Sequence, residues 1–113
     1  MHTEADTTVM VVLTTLPDTG AAETFVERLL EDRIIACANL LPGARSIYRW
    51  NGEIQRDAEV VVLLKTTRSA LSRLEQRFSE LHPYDVPELL ALDVAAGADA
   101  YLGWVRAETE TAP

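Results

Sequence analysis

The chain has 113 residues, 48% of them hydrophobic and 25% charged, which is the composition of one ordinary globular domain. Its net charge of −8 offers no concentrated basic surface, so we expect neither a nucleic-acid partner nor docking on an anionic membrane. No apolar run approaches the roughly 20 residues of a membrane span. The single cysteine excludes an internal disulfide.

These features predict a soluble, cytoplasmic protein. Residues 1–8 lack the basic and apolar regions of a signal peptide. We expect one domain over residues 9–107, with flexible polar tails at 1–8 and 108–113.

The first half of the chain shows a strand, a helix and a second strand in turn. Residues 9–15 are apolar and rich in β-branched side chains, which predicts a strand. Residues 17–20 form a turn and helix N-cap signal, and an amphipathic helix follows to about Asp32. Residues 34–41 predict another strand, which Pro42-Gly43 should bend or bulge.

The Asn51-Gly52 pair is the strongest local signal in the chain. The strand resumes over 46–50 before it, and both turn residues tolerate the positive φ that a type I′ turn requires. A tight hairpin is therefore predicted, with a return strand over 53–54 and 59–67.

The remainder of the chain predicts two helices around a fourth strand. Ser69 is the predicted cap of an amphipathic helix that ends near Leu81. A strand is predicted over 88–94, and Asp99 should cap a short last helix. The apolar residues of the two helices are Leu71, Leu74, Phe78 and Leu81, then Tyr101, Trp104 and Val105.

This order of elements predicts an α+β fold, the ferredoxin-like β-α-β-β-α-β arrangement with a short C-terminal helix. Its antiparallel sheet would carry both main helices on one face. The strands, however, are apolar on both faces, as in residues 60–64 and 89–92. Because two helices cannot cover both faces, we expect a homo-oligomer that packs through sheet faces and buries about 800 Å² per partner.

The connector between the second main helix and the fourth strand, residues 81–89, is stiff and polar. Pro83 and Pro87 restrict the residues that precede them, so His82 and Tyr84 sit on a rigid segment, where function is often placed. The alternative is that the prolines only end a helix and begin an edge strand.

Cys37 lies in an apolar strand and has two interpretations. A free cysteine there is commonly a small hydrophobic residue. Alternatively, its thiolate is a soft metal ligand for Cu(I) or Zn, with His82 as its partner. Two ligands do not complete a metal site, so Asp85, Glu88 or another subunit would have to supply the remaining donors.

Lys65 interrupts the most apolar strand, which Glu59 begins, on the same side as Val61 and Leu63. It either reaches water or an ion-pair partner, or it binds an anion in a cleft between subunits. Trp50 lies beside the hairpin tip and should be half exposed. A nucleic-acid-binding sheet of this topology needs aromatic residues on its central strands, but residues 60–64 are aliphatic, which argues against base stacking on the sheet.

No nucleophile elbow, P-loop or dinucleotide-binding motif is present. We therefore do not expect an enzyme. A hydrolase or isomerase that uses Asp85, Glu88 and His82 is the least favoured hypothesis.

Several motifs together resemble the CutA family of divalent-cation tolerance proteins. The resemblance runs over residues 9–105. It rests on 36–43 (ACANLLPG), 46–48 (SIY), Trp50-x-Gly52-x-Ile54, 59–60 (EV), 64–67 (LKTT), 82–84 (HPY), 87–89 (PEL) and Tyr101-Leu102-x-Trp104. It implies a ferredoxin-like subunit in a tight homotrimer, similar to the PII signalling proteins.

The resemblance also implies a function and its residues. Some CutA proteins bind copper through Cys and His, which implies Cys37 and His82 as ligands of copper or another divalent cation, although the chain has no further cysteine for a sulfur-rich site. The leading hypothesis is a trimeric divalent-cation tolerance protein. The alternative is a PII-like sensor or trimeric scaffold without a metal site, with a small-molecule anion in an inter-subunit cleft. The residues implied for that cleft are Trp50, Glu59, Lys65, Tyr84 and Glu88.

Overall fold

The structure is a computed structural model that describes residues 6–109. In chain order the strands are β1 (Val9–Leu16), β2 (Cys37–Trp50), β3 (Glu53–Thr67) and β4 (Leu90–Asp93). The helices are α1 (Thr19–Glu31), α2 (Leu71–Leu81) and α3 (Asp99–Glu108), and a 3-10 turn, Arg68–Ala70, leads into α2. No helix within residues 6–109 is long and apolar enough to cross a membrane.

The four strands form one sheet in the order β2-β3-β1-β4, and every neighbouring pair is antiparallel. This arrangement, with α1 between β1 and β2 and α2 between β3 and β4, confirms the predicted ferredoxin-like α+β fold. β1 and β3 are the central strands, so they hold most of the residues that meet the helices.

The main core lies between the sheet and the helices α1 and α2. Alternate strand residues such as Val12, Val62 and Leu64 are fully buried there, and they belong to the same cluster as Phe25 and Phe78 of the helices. The period-2 alternation of a strand places these residues on one face. Leu29, Leu74, Ile34 and Ile35 belong to the same cluster.

The opposite face of the sheet, which we call the open face, is also apolar. Val11 and Val61 are only partly buried there, while Leu90 and Leu92 are 56% and 53% exposed. α3 covers one end of this face, where Val105 packs against Val9 and Ala36. The two-sided apolar pattern is confirmed, and the oligomer inferred from it stays a prediction.

The β2-β3 pair continues beyond the end of β1 as a two-stranded hairpin arm, residues 44–59. Asn51 and Gly52 have φ values of 51° and 78°, which confirms the predicted turn. Gly43 has a φ of 86°, and the pairing register shifts between Leu41 and Ala44, which confirms the predicted bulge.

Two predicted helix caps are wrong. Asp18 does cap α1, since its side chain accepts from the Ala21 amide. Ser69, however, lies in the 3-10 turn beside Thr67, and the residue that precedes α2 is Ala70, with no capping side chain. Asp99 is the first residue of α3 rather than its cap. An acidic side chain such as that of Asp99 is also favourable in the first turn of a helix, and the first residue of a helix is defined only to within one or two positions, so a sequence pattern misplaces caps by that much.

The strand ends also differ from prediction. β2 begins at Cys37 rather than residue 34, and β4 covers only 90–93 rather than 88–94. β4 is short because it pairs only with Met10–Leu13 of β1, so the connector extends to Leu89. Of the predicted tails, residues 1–5 and 110–113 lie outside the described residues. Residues 6–8 form hydrogen bonds with the rest of the domain; for example, the Asp6 carbonyl accepts a hydrogen bond from the Ser69 amide.

Candidate ligand cleft beside the hairpin arm

A cleft of about 710 Å³ lies between the hairpin arm and the connector that follows α2. Acids and aromatic side chains dominate its polar lining, to which residues 6–109 contribute no lysine or arginine. The four acids are Asp57, Glu59, Asp85 and Glu88, and the three aromatic residues are Tyr48, Trp50 and Tyr84.

The hairpin turn determines which arm residues face the cleft. The two-residue turn fixes the register, so Trp50 lies opposite Glu53 and Ser46 lies opposite Asp57. Since side chains alternate along a strand, Ser46, Tyr48, Trp50 and Asp57 share one face of the arm. Trp50 is 52% exposed, as predicted for a residue beside the hairpin tip.

Two tyrosines are hydrogen-bonded to two of the cleft acids. The Tyr84 hydroxyl donates to Glu59 Oε2 at 2.7 Å, and burial together with this carboxylate raises the pKa of Tyr84 well above its usual range. The Tyr48 hydroxyl donates to Asp57, and this bond raises the pKa of Tyr48. Both phenols therefore stay protonated donors at neutral pH and fix the orientation of Glu59 and Asp57.

The other two acids, Asp85 and Glu88, are exposed and have no hydrogen bond or ion pair within residues 6–109. The cleft therefore combines two oriented carboxylates with two unpartnered ones. A surface with this charge attracts cations and disfavours anions.

His82 lies behind the cleft rather than in it. Its ring packs against Phe25, Phe78 and Tyr84, with ring centroids 5.3, 5.6 and 5.0 Å away respectively. It is 8% exposed, and burial lowers the pKa of His82. The neighbours identify this position as the helix-covered side of the sheet, because Phe25 and Phe78 belong to the main core.

Cys37 lies on the open face, at the other end of the sheet from the cleft. It is opposite Lys65 across the β2-β3 pair, and Lys65 is opposite Val11. The Cys37 Sγ lies 3.5 Å from the Tyr101 hydroxyl and 4.0 Å from Lys65 Nζ. Lys65 Nζ also donates to the Asn39 side-chain oxygen.

The structure does not bring Cys37 and His82 together within one chain. His82 contacts Thr15 of β1, whereas Cys37 aligns with Val11 two strands away. This separation is about 13 Å along the strand and about 10 Å across it, and the two side chains lie on opposite faces. Metal ligands sit about 2 Å from the ion, so these residues do not fit a shared metal site in the protomer.

Four of the five predicted cleft residues do meet: Trp50, Glu59, Tyr84 and Glu88 line the same cleft. Lys65 does not join them, because it lies six positions beyond Glu59 on β3, about 20 Å at the rise of a strand. Within residues 6–109 no group of three or more His, Cys, Asp or Glu side chains is spaced to hold one metal ion.

Sequence reasoning missed Asp57 and the cleft position of Tyr48. Both could have been found from the hairpin register. Counting outward from Asn51-Gly52 pairs Ser46 with Asp57, and the period of two then aligns them with Tyr48 and Trp50.

Residues 10–108 match the family model for the CutA1 divalent ion tolerance protein. The chain belongs to this family. The curated "Divalent-cation tolerance protein CutA" of Thermus thermophilus is 48% identical over 99 residues, which is 88% of this chain and 96% of that protein. "Protein CutA, chloroplastic" of Arabidopsis thaliana is 36% identical over 100 residues, 88% of this chain and 55% of that protein.

Solved structures of family members have the same fold. The Cut A1 structure from Thermus thermophilus superposes with a TM-score of 0.88 at 46% identity, covering 90% of this chain and 99% of that one. CutA1 from Oryza sativa gives a TM-score of 0.90 at 33% identity, covering 96% of this chain and 100% of that one. The family predicted from the motifs is therefore confirmed.

Proposed function

We propose that this chain acts in divalent-cation tolerance as a homotrimer, and that cations bind in the acidic cleft rather than at a Cys37–His82 pair. The single observation that carries the proposal is the set of four carboxylates in one cleft, to whose lining the described part of the chain adds no basic residue. Carboxylate oxygens are ligands for hard divalent cations, whereas copper(I) prefers sulfur.

The cleft offers an ion fewer than three suitably spaced donors from the described chain. Water or a neighbouring copy would supply the rest, which predicts weak binding by one protomer. A neighbouring copy is supported by the open face, where Leu41, Leu90 and Leu92 remain about half exposed beside the described helices. The number of copies, three, is what the resemblance to CutA and PII proteins implies.

Metal titrations of matched variants test where cations bind. Calorimetry with Mn²⁺, Zn²⁺ and Cu²⁺ would compare wild type with the double variant Asp85→Asn, Glu88→Gln. Glu23→Gln with Glu27→Gln removes the same charge from the exposed surface of α1 and serves as the control. We expect the cleft variant to lose affinity about tenfold, equivalent to about 1.4 kcal/mol, and the control to match wild type.

Cys37→Ser separates the two metal hypotheses. We expect it to bind divalent cations as wild type does. Loss of binding in Cys37→Ser, with normal binding in the cleft variant, would assign the metal to the thiolate instead. A wild-type protein that binds none of the three cations would remove metal binding altogether.

A second candidate function is a PII-like small-molecule sensor without a metal site. It is supported by the size of the cleft and by Tyr48, Trp50 and Tyr84, which offer aromatic faces to an organic ligand. Trp50 is exposed enough to report binding by its fluorescence. A thermal-shift screen with organic cations and anions would test it, with Trp50→Ala and Lys65→Ala as variants.

The two variants distinguish the ligand's location. A cleft ligand should raise the melting temperature of wild type and Lys65→Ala but not of Trp50→Ala. An anion that stabilises wild type and Trp50→Ala, but not Lys65→Ala, would support the inter-subunit anion site, which stays a prediction. The absence of catalytic activity and the cytoplasmic location also stay predictions.

A further inference from the structure

The connector carries a chain of hydrogen bonds that links the core of the protein to the cleft. His82 Nε2 lies 2.9 Å from the Thr15 carbonyl oxygen, and the Tyr84 amide donates to His82 Nδ1 at 3.2 Å. The Tyr84 hydroxyl then donates to Glu59 in the cleft. The first two hydrogen bonds involve the ring nitrogens of the buried His82, and the third involves Glu59 in the candidate site.

The neighbours of His82 determine where its proton lies. A carbonyl oxygen only accepts, so Nε2 must carry the hydrogen that Thr15 receives. A backbone amide only donates, so Nδ1 must present its lone pair to Tyr84. The Thr14 hydroxyl, 3.2 Å from Nε2, adds a further polar contact. The imidazole is therefore a neutral Nε2–H tautomer with both nitrogens in use.

We propose that His82 is a positioning residue of the cleft, which holds Tyr84 against Glu59, and is not a metal ligand. A metal would need a free lone pair on the ring. Nε2 has none in this tautomer, and taking Nδ1 would leave the Tyr84 amide without its acceptor. Packing adds to the constraint, because the ring is enclosed by Phe25, Phe78 and Tyr84. The inference rests on the proposed function only in treating the cleft as the binding site.

Two substitutions test the hydrogen bonds of the two imidazole nitrogens separately. His82→Asn places an oxygen where Nδ1 lies, so it still accepts from the Tyr84 amide but loses the donor to Thr15. His82→Gln places an amide where Nε2 lies, so it keeps that donor but loses the acceptor. Tyrosine labelled with ¹³C at Cζ reports the hydrogen bond of the Tyr84 phenol, and Tyr84→Phe identifies its signal.

In metal-free protein, we expect His82→Asn to keep the wild-type Tyr84 signal. His82→Gln should move that signal toward its position in Glu59→Gln, where the phenol loses its carboxylate partner. An unmoved Tyr84 signal in folded His82→Gln would overturn the positioning role.

A second measurement needs no substitution at His82. His2→Ala leaves His82 as the one remaining histidine of the two, and ¹⁵N spectra then read its tautomer directly. We expect the neutral Nε2–H pattern, and we expect Nε2 to keep its proton when Zn²⁺ is added. Loss of that proton, or a shift of the unprotonated Nδ1 as large as direct coordination of an imidazole produces, would make His82 a ligand and overturn the proposal. Since the tautomer and the Tyr84 signal are read without metal, a cleft that binds no cation would defeat only the proposed function.

Discussion

The two faces of the sheet are built from the same kinds of aliphatic residue, but they have different surroundings. On β3, Val62 and Leu64 point into the main core and are fully buried. Their neighbours Val61 and Leu63 point to the open face and keep part of their surface exposed. One face is closed by α1 and α2 of the same chain, while among the described elements the other has only α3 at one end.

This difference shows that apolar sequence alone does not say what buries a residue. A helix-covered leucine stabilises the protomer by itself, because its burial is complete within one chain. A leucine on the open face contributes fully only if another copy covers it. Variants that separate the two faces therefore test the homotrimer proposed above.

The largest expected effect is the difference in stability loss between substitutions at Leu64 and at its neighbour Leu63. Leu64→Ala creates a cavity in the packed core and should lower the free energy of unfolding by about 2–5 kcal/mol at every protein concentration. Leu63→Ala should lower it mainly at concentrations where the protein is assembled. Urea unfolding across a range of protein concentrations measures both. Equal, concentration-independent losses would mean that the two faces are equivalent.

A charge on the open face should have a smaller effect on the fold and a clear effect on assembly. Leu63→Glu would place a carboxylate without a partner in the proposed interface, at a cost of several kcal/mol, so the oligomer should dissociate into folded single chains. Light scattering gives the mass and circular dichroism the fold. Leu30→Glu, at an exposed position on α1, is the matched control. Unchanged mass in Leu63→Glu would contradict packing through this face.

The smallest expected effect is a pH dependence of the stability, caused by His82 on the helix-covered side of the sheet. Burial lowers the pKa of His82 below its usual 6.5, although the Thr15 carbonyl and the Glu59 carboxylate oppose the change. The unfolded chain therefore binds the proton more readily than the folded one. The contribution of neutral His82 to the free energy of unfolding is therefore fully present above pH 6.5. It is lost as the pH falls from 6.5 toward the pKa of His82 in the folded chain.

Urea unfolding at about pH 7.5 and about pH 5.5 would measure this loss, which is at most about 1.4 kcal/mol between these pH values because the unfolded chain titrates at 6.5. His82→Asn lacks the titrating ring, so its stability should change less between the two pH values. Parallel losses in wild type and His82→Asn would show that other groups cause the dependence.

Local patterns predicted much of the fold and part of the site. The alternation of β3, the Asn51-Gly52 turn and the bulge at Gly43 each depend on neighbouring residues, so the sequence was sufficient for them. The cleft residues Trp50 and Glu59 follow from the same hairpin. Asp57 was accessible to the same reasoning but was missed.

Contacts between distant segments were not predictable in this way. His82 and Cys37 were paired as ligands because both residue types bind metals, yet the chain places them on opposite faces of the sheet. The position of Lys65 relative to the cleft likewise depends on how far β3 extends beyond β1. A shift of one residue in such pairings would move every side chain to the other face.

The sequence by itself determined the element order, the hairpin register and the apolar character of both sheet faces, because these properties depend on side-chain types and turn residues that lie close together in the chain. Only the tertiary structure decided that His82 is enclosed by Phe25, Phe78 and Tyr84, that Lys65 lies far from the cleft, and that four carboxylates meet in it. Those placements depend on strand pairing and helix packing between segments far apart in the chain, where burial and hydrogen bonding select among registers that the local sequence leaves open.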